Sequence, residues 1–429
     1  MIQDWQPGGV RAGVREGMRS RSQKEAAEVR APHNECASSS VGRECSPFRD
    51  STVAMRVLVL TPNTETVGGV QRYAKTLIEA FKDLLGARNV TQVTLPDAQT
   101  RGNRTRIGAS AKFSYTCQAL REAARVRPDL IVCCHVGLAP IGWLVHMAVG
   151  RPYWVIAYGI DVWCRLPIIK KRALQRAEKI LSLSDFTGKQ VVKLHGVAGQ
   201  RSMTLTPCIT QEDWLTIRSA EGPLNGLGLK GCRVILTVAR LAASERYKGH
   251  DVVLRSLPSV IERVPNVKYL IVGDGDDRPR LEKLVQDLRL QSHAVFLGEV
   301  RDDALLAACY RACDVFILPA RTVIDDVNPK GEGFGIVYLE AMTFGKPVIA
   351  PNYGAPADII RHGQHGLLVD PEDSGAIAEA LTDLLTHPDK AHEMGQAGSE
   401  WLKQHYSYNS FRERLREIVA ACPTTGSRA

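Results

Sequence analysis

Two glutamates with seven residues between them, Glu332 and Glu340, are the side chains of this 429-residue chain best suited to binding a ligand. Gly333, Phe334 and Gly335 follow the first, and glycine lets the backbone turn tightly and approach a ligand closely. A helix is predicted to begin near Gly335, so its free N–H groups face this turn and favour an anion such as a diphosphate. Glu340 then lies one to two turns into the helix, at about 1.5 Å rise per residue, where its carboxylate can accept hydrogen bonds from paired sugar hydroxyls. The two acids therefore suit a nucleotide-sugar better than a bare phosphate.

The residues around this pair form a longer pattern, because positions 331–350 read GEGFGIVYLEAMTFGKPVIA. The block resembles the donor-site signature of retaining glycosyltransferases of the family 4 type, which have the GT-B fold, and the likeness covers roughly residues 55–420. The resemblance implies that Glu332 contacts the donor sugar and that Glu340 holds the ribose. It also implies that backbone amides at the helix start contact the donor, those of Phe334, Gly335 and Ile336.

Such glycosyltransferases are expected to carry a cationic pair after the first strand of the C-terminal domain. Here the strand-like run Val234–Val238 is followed by Arg240 and Lys248. Arg can bind two phosphate oxygens at once and Lys acts as a point charge, so the pair would neutralise charge that develops as the nucleotide leaves. By residue type alone the two would be solvated surface cations. The resemblance assigns Arg240 and Lys248, with Glu332, to both catalysis and donor binding.

Two features of the N-terminal half complete the predicted site. A buried strand at 55–60 leads to Gly68 and Gly69, which open a helix and can bring backbone N–H groups near the donor phosphates or the acceptor. This loop matches neither a G-x-G-x-x-G dinucleotide fingerprint nor a P-loop. His135 ends the strand-like run 130–134, at the sheet edge where ligands collect in open α/β folds. The resemblance places such a His against the donor sugar, in a catalytic role.

Short strands alternate with helices along most of the chain, which predicts parallel sheets. The predicted class is α/β with the GT-B arrangement: two Rossmann-like parallel-sheet domains facing each other across a cleft. We expect an acceptor-binding domain at 55–222 and a nucleotide-sugar-binding domain at 223–408, joined by a Gly-rich run at 221–231. Residues 409–429 are predicted to form a helix that crosses back to the first domain, and a tail. The elements predicted individually are strands 56–60, 130–134, 153–157, 179–184, 234–238, 268–272, 294–297 and 315–318, and helices 70–85, 250–263, 279–288, 302–309 and 409–420.

Several segments exclude other classes of protein. Residues 1–54 lack periodicity and an apolar core, which favours a disordered extension, or a true start at Met55, over a secretory signal. The stretch 130–149 has no charged residue and is near the ~20 residues that span a bilayer, but a buried strand, loop and helix explain it better. Eleven cysteines without a C-x-x-C pattern favour a reducing compartment and no structural zinc. Asp325 and Asp326 are predicted to lie in an exposed loop rather than to bind a metal.

Positive charge is concentrated in the N-terminal half. The chain has a net charge of +9, and residues 55–222 hold 23 Lys and Arg against 12 Asp and Glu. The excess centres on 101–127 and 165–179, and the second of these alternates apolar and basic residues at helical spacing. Such a face could rest on anionic lipid headgroups or be simply solvated, whereas no aromatic-interleaved basic motif supports nucleic-acid binding. We expect a cytoplasmic protein, peripheral to the inner face of the cell membrane, with no nucleic-acid partner.

The predicted function is transfer of a hexose, of mannose or glucose type, from a nucleotide-sugar to a lipid-linked or growing cell-surface glycan. Exopolysaccharide, lipopolysaccharide and glycolipid assembly all fit. The resemblance implies retention of configuration by a front-face reaction that requires no metal or other cofactor. The loop 321–335 resembles that of mannosyltransferases acting on inositol phospholipids, with GDP-mannose and UDP-hexoses as alternative donors. A GT-B nucleotide-sugar epimerase, which would consume no acceptor, and a non-catalytic nucleotide-sugar-binding protein are the alternatives. Retention of the two cations and both glutamates together argues against the second.

Overall fold

The computed structural model describes residues 55–62, 68–95, 99–101, 104–106, 108–210, 224 and 227–421. The predicted disordered extension at 1–54, part of the Gly-rich run and the predicted domain boundary at 222–223 lie outside these residues.

The first domain is built on a six-stranded parallel sheet of order β2-β1-β5-β6-β7-β8. Its inner strands at 57–61, 130–133 and 153–157 are near-continuous apolar runs because helices cover both faces of a parallel sheet. Its elements are β1 (Val57–Thr61), α1 (Gly69–Leu85), β2 (Val90–Thr94), the hairpin β3 (Gln99–Arg101) and β4 (Arg104–Arg106), α2 (Ala109–Val126), β5 (Leu130–Cys133), α3 (Ala139–Val149), β6 (Tyr153–Ala157), α4 (Ile168–Arg176), β7 (Lys179–Ser182), α5 (Asp185–His195) and β8 (Ser202–Thr204).

The second domain repeats the plan with a parallel sheet of order β11-β10-β9-β12-β13-β14. Its elements are β9 (Arg233–Val238), α6 (His250–Arg263), β10 (Val267–Val272), α7 (Arg278–Asp287), β11 (Ala294–Gly298), α8 (Asp303–Ala312), β12 (Val315–Ile317), α9 (Ile336–Thr343), β13 (Val348–Pro351), β14 (Gly366–Val369), α10 (Ser374–Thr386) and α11 (Pro388–His405). The two sheets confirm the predicted α/β class with two parallel-sheet domains.

A final helix, α12 (Tyr408–Ala420), follows the second domain in the chain but packs on α1 of the first. The Tyr408 hydroxyl donates to the Asp83 carboxylate at 2.6 Å, and the rings of Phe411 and Tyr73 meet edge to face at 5.8 Å between centroids. Phe411 and Leu415 are fully buried, which is worth about 1.5–3 kcal/mol for each side chain. The chain therefore returns to the first domain at its last helix.

The individually predicted elements all occur, with starts within about one residue and ends within about three of the observed ones. The uncharged stretch 130–149 is strand β5, a loop and helix α3, as expected. Among the described residues, no helix is both long enough and apolar enough to cross a bilayer. Asp325 and Asp326 are exposed, also as expected.

Candidate functional site

The Glu332 turn leads into α9 through a glycine that no other residue replaces easily. Gly335 is the N-cap of α9 and has φ 100°, in the left-handed region. A Cβ at Gly335 would lie 2.5 Å from the Tyr338 ring, so both conformation and space require glycine. α9 begins directly after this turn, so the first N–H groups of the helix, which have no acceptor within it, lie next to the turn.

Lys248 and Glu332 form an ion pair, with Lys248 Nζ 3.2 Å from Glu332 Oε1. Lys248 also lies 3.4 Å from the second oxygen of Glu245, whose first oxygen accepts a hydrogen bond from the Arg240 guanidinium. The two predicted cations therefore converge on a single carboxylate, Glu245. Sequence reasoning missed this residue, although its position three residues before Lys248 could have marked it.

The loop that carries Lys248 is held in place by a charged network behind it. Asp277 accepts hydrogen bonds from Arg246 Nε at 2.7 Å and Arg280 Nη2 at 2.6 Å. Burial alone would raise the pKa of Asp277, but the hydrogen bonds from the two arginines bring it below its ordinary value. Arg246 belongs to the 3-10 turn Ala243–Lys248, so the network anchors that turn against the start of α7. Lys248 is consequently presented from a fixed backbone.

Glu340 is a buried carboxylate whose two oxygens have different partners. Arg72, on α1 of the first domain, donates from Nη1 to Glu340 Oε1 at 3.1 Å. The Tyr310 hydroxyl donates to Oε2 at 2.8 Å, and its burial and the adjacent carboxylate raise the pKa of Tyr310 well above its usual range. Glu340 is therefore fixed in orientation, and one of its contacts crosses between the domains. Sequence reasoning did not find the Arg72 contact, because the two residues are 268 positions apart.

A cavity of about 690 Å³ lies between the first helix of one domain and the Glu332 turn of the other. The predicted site residues that line it are Gly68, Gly69, Glu332, Phe334, Gly335 and Ile336. Three other predicted site residues each contact a residue that lines the cavity. Lys248 contacts Glu332, Glu340 contacts Arg72, and the ring of His135 stacks on Tyr158. Arg240 lies two contacts beyond Lys248, to which it is linked through Glu245. A cavity of this size is typical of small-molecule sites.

His135 lies at the carboxyl end of β5, where its ring is held by the backbone. Its Nδ1 accepts a hydrogen bond from the Gly137 N–H at 2.9 Å, and its Nε2 lies 3.9 Å from an oxygen of Asp161. Asp161 in turn accepts from the N–H groups of Tyr158 and Gly159 at 3.0 and 2.8 Å. Burial raises the pKa of Asp161, and the nearby His135 and these amides oppose that shift. The arrangement fixes the ring beside the cavity-lining Tyr158.

The two domains touch directly at the base of the cavity. A Cβ on Gly333 would lie 2.0 Å from the Tyr158 carbonyl oxygen, and one on Gly159 would lie 2.7 Å from the Gly333 Cα. The Ser184 hydroxyl lies 3.4 Å from the Gly333 carbonyl oxygen, and the Phe186 N–H donates to Asp358 at 2.7 Å. The predicted site is thus assembled from both domains, with backbone in contact with backbone.

The described part of the chain contains no group of three or more His, Cys, Asp or Glu side chains placed to hold a metal ion. Cys309 and Cys313 are both buried, and burial raises the pKa of each thiol, to about 11 and about 12.

Known proteins resemble this chain in sequence. Residues 227–401 match the family model of glycosyl transferases group 1, and this range contains both cations and both glutamates. A GDP-mannose-dependent alpha-(1-6)-phosphatidylinositol monomannoside mannosyltransferase of Mycolicibacterium smegmatis is 30% identical over 289 residues, covering 66% of this chain and 74% of that protein. A phosphatidyl-myo-inositol mannosyltransferase of Mycobacterium leprae is 36% identical over 187 residues, covering 43% and 46%.

Solved structures show the same architecture. Anabaena HepE in complex with UDP has a TM-score of 0.67 at 17% identity, covering 86% of this chain and all of that one. A glycosyltransferase from Rickettsia africae has a TM-score of 0.67 at 17% identity, covering 85% and 97%. These likenesses establish the GT-B fold. Together with the sequence relatives they show that the chain is a glycosyltransferase enzyme of the family 4 type and belongs to the glycosyl transferases group 1 family.

Proposed function

We propose that the chain transfers a mannosyl residue from GDP-mannose to a lipid-linked acceptor, with retention of anomeric configuration. One observation supports the choice of a nucleotide-sugar donor. Arg240, Lys248 and Glu332 lie together beside the cavity, at the start of the helix that carries Glu340. The choice of mannose and of a phosphatidylinositol-type acceptor is supported by the names of the mycobacterial relatives.

The donor would bind along the second domain. Its diphosphate would take Arg240 and Lys248 as counter-charges, with the free N–H groups of α9 as further donors. The ribose hydroxyls would hydrogen-bond to Glu340, whose carboxylate is already oriented by Arg72 and Tyr310. These groups supply the positive charge that the leaving diphosphate needs, so the proposal requires no metal ion or other cofactor.

The transfer would proceed on one face of the sugar. The bond from the anomeric carbon to the phosphate oxygen breaks, and the acceptor hydroxyl attacks from the same side. Its proton passes to a leaving phosphate oxygen. Glu332 is ion-paired with Lys248 and suited to holding sugar hydroxyls, and His135, fixed by Gly137, would contact the donor sugar from the first domain. The chain's own residues thus position the sugar and stabilise charge.

One surface of the first domain, the predicted acceptor-binding domain, is suited to contact with an anionic membrane. Helices α2, α3 and α4 pack side by side in the first domain and expose large apolar side chains, including Phe113 at 73% and Ile168 at 68%. Basic residues flank them, for example Lys112 and Arg172, both exposed. Apolar residues flanked by cations fit a surface of anionic lipid headgroups, and the charge pattern at 165–179 supports the same proposal. We therefore place the protein at the inner membrane face, peripherally attached through this surface.

The donor assignment is tested by nucleotide binding. Thermal shifts of the full-length protein would be measured with GDP, UDP and ADP and their sugars, for the wild type, Lys248→Ala and the control Lys403→Ala on α11. We expect a selective shift with GDP and GDP-mannose that Lys248→Ala loses and Lys403→Ala keeps. A selective UDP response would replace mannose by a UDP-hexose. Unchanged GDP affinity in folded Lys248→Ala would refute the diphosphate site.

The membrane assignment is tested by vesicle sedimentation. Wild type, an Ile168→Ser/Ile169→Ser double variant and the control Val327→Ser would be mixed with phosphatidylcholine vesicles with or without phosphatidylinositol. Val327 is a matched control because it is 90% exposed but lies in the second domain. Binding only to the anionic vesicles, lost in the double variant alone, is expected. Equal sedimentation of all three proteins would contradict this surface.

A further inference from the structure

The two cations assigned to the donor diphosphate already share a counter-ion inside the protein. Arg240 and Lys248 contact different oxygens of the same carboxylate, Glu245. Lys248 contacts a second acid, Glu332, at 3.2 Å. The cluster therefore holds two positive and two negative side chains and is formally neutral before any ligand arrives.

Three of the four charged side chains in this cluster are largely shielded from solvent. The side chains of Lys248, Glu245 and Glu332 are only 12%, 14% and 19% exposed, whereas Arg240 is 76% exposed. One oxygen of each glutamate, Oε2 of Glu245 and Oε1 of Glu332, is buried and accepts no hydrogen bond from a described residue. Both depend on the Lys248 charge for stabilisation. Charges interact more strongly in such a screened position than at the surface.

The backbone at this point allows the carboxylate to reach both cations. Within the 3-10 turn Ala243–Lys248, Glu245 departs from helical geometry, with φ −113° and ψ 24°. Arg246, the next residue, is fixed by Asp277, so the turn is anchored immediately beyond Glu245. The Glu245 carboxylate thus occupies the position between Arg240 and Lys248 that a phosphate group would take.

We propose that Glu245 is an internal phosphate substitute that any phosphate ligand must displace from Arg240, so that small anions bind weakly and only a nucleoside diphosphate with further contacts fills the site. The inference rests on the proposed function, because it assumes that the diphosphate binds at Arg240 and Lys248. Inorganic phosphate or pyrophosphate has to break the Arg240–Glu245 contact and gains nothing elsewhere. A nucleotide breaks the same contact but also gains the ribose contact to Glu340. The cost of displacing Glu245 is therefore common to all these ligands, and only the nucleotide has a further contact that offsets it.

The test compares pyrophosphate and GDP binding by calorimetry in full-length protein. Glu245→Gln keeps the shape of the side chain and removes its charge, and Glu400→Gln, an exposed acid paired with Lys403 on α11, is the matched control. We expect Glu245→Gln to bind pyrophosphate roughly tenfold more tightly or better, from the loss of one like charge next to the ligand. GDP affinity should rise by a similar or smaller factor, and Glu400→Gln should match the wild type. Unchanged or weaker pyrophosphate binding in Glu245→Gln would overturn the inference, since a purely structural role cannot raise affinity.

Two further measurements separate this inference from the proposed function. Lys248→Ala should lose affinity for both ligands. If it does not, the diphosphate site itself is misplaced; if it does and Glu245→Gln shows no gain, only the role of Glu245 is wrong. Should Glu245→Gln fail to fold, Glu245→Asp, which keeps the charge but shortens its reach, takes its place. Tighter pyrophosphate binding by Glu245→Asp would then support the displacement, and unchanged binding would refute it.

Discussion

Replacing Gly333 by Ala would place one methyl group between the two domains. The added Cβ would lie 2.0 Å from the Tyr158 carbonyl oxygen and 3.1 Å from its carbonyl carbon. Both are backbone atoms, which cannot turn aside as a side chain can. The φ of Gly333 lies outside the left-handed region, so the main obstacle to alanine there is the contact between the domains.

The required displacement follows from the geometry. Real Cβ contacts are essentially never shorter than 3.0 Å, so the Glu332 turn and the Tyr158 backbone must separate by at least about 1 Å. A misplacement of about 1 Å between reacting groups can cost about 100-fold in rate. We expect kcat/KM for transfer to fall by about that factor, equivalent to roughly 2.7 kcal/mol of transition-state stabilisation. GDP affinity should change far less, because Arg240, Lys248 and Glu340 all lie in the second domain.

The assay is the initial rate of mannosyl transfer, with GDP affinity and thermal stability measured on the same preparations. Gly199→Ala is the matched control, since a Cβ there has no atom within 4 Å. The reasoning is refuted if Gly333→Ala transfers at the wild-type rate, or if its rate loss is matched by an equal loss of GDP affinity.

The remaining predictions concern charges that hold the site. Arg72→Gln removes the ion pair to Glu340, so the KM for donor should rise by up to about tenfold in steady-state assays with little loss of stability, because Arg72 is exposed; an unchanged KM would contradict the role of that contact. Tyr310→Phe leaves a buried oxygen of Glu340 without its partner and should lower the free energy of unfolding by about 1–3 kcal/mol in urea titrations. Burial, and secondarily Lys248, lower the pKa of His250 from 6.5 to about 3. The folded state therefore keeps His250 neutral while the unfolded state takes up a proton below pH 6.5, so stability is lost as the pH falls from 6.5 toward 3. His250→Gln should lose less stability than the wild type between pH 7 and pH 5, and parallel losses would count against this cause.

The parts of the fold that the sequence predicts are those with strong local patterning. Strands such as Val57–Thr61 and Tyr153–Ala157 are uninterrupted apolar runs, because they are buried on both faces. The Gly-Phe-Gly run at 333–335 likewise predicts the start of the following helix, and the structure places Gly335 at its N-cap in the left-handed conformation. Helix ends were less accurate, as for α8, which continues to Ala312.

The contacts that the sequence does not reveal depend on distance along the chain or on loop geometry. The Arg72–Glu340 pair joins two domains, and nothing in the local sequence of α1 points to a carboxylate 268 residues away. Glu245 is close to both cations in sequence, yet its contact with them requires the non-helical backbone of one turn residue. The roles of His135 and of the Gly68–Gly69 loop remain predictions that only binding and rate measurements can test.

The packing of α12 on α1 has a consequence for the order in which the protein folds. The first domain completes its core with Phe411 and Leu415, which follow the whole second domain in the chain. During synthesis, which proceeds from the N-terminus, the first domain must wait with the α1 surface around Tyr73 uncovered until residues 408–420 have left the ribosome. The second domain, at 233–405, meets this later segment mainly through its last helix, α11, where Arg414 donates to the His405 carbonyl oxygen. We therefore expect the domain made first to reach its final stability last, and chains stalled before Tyr408 to depend on chaperones.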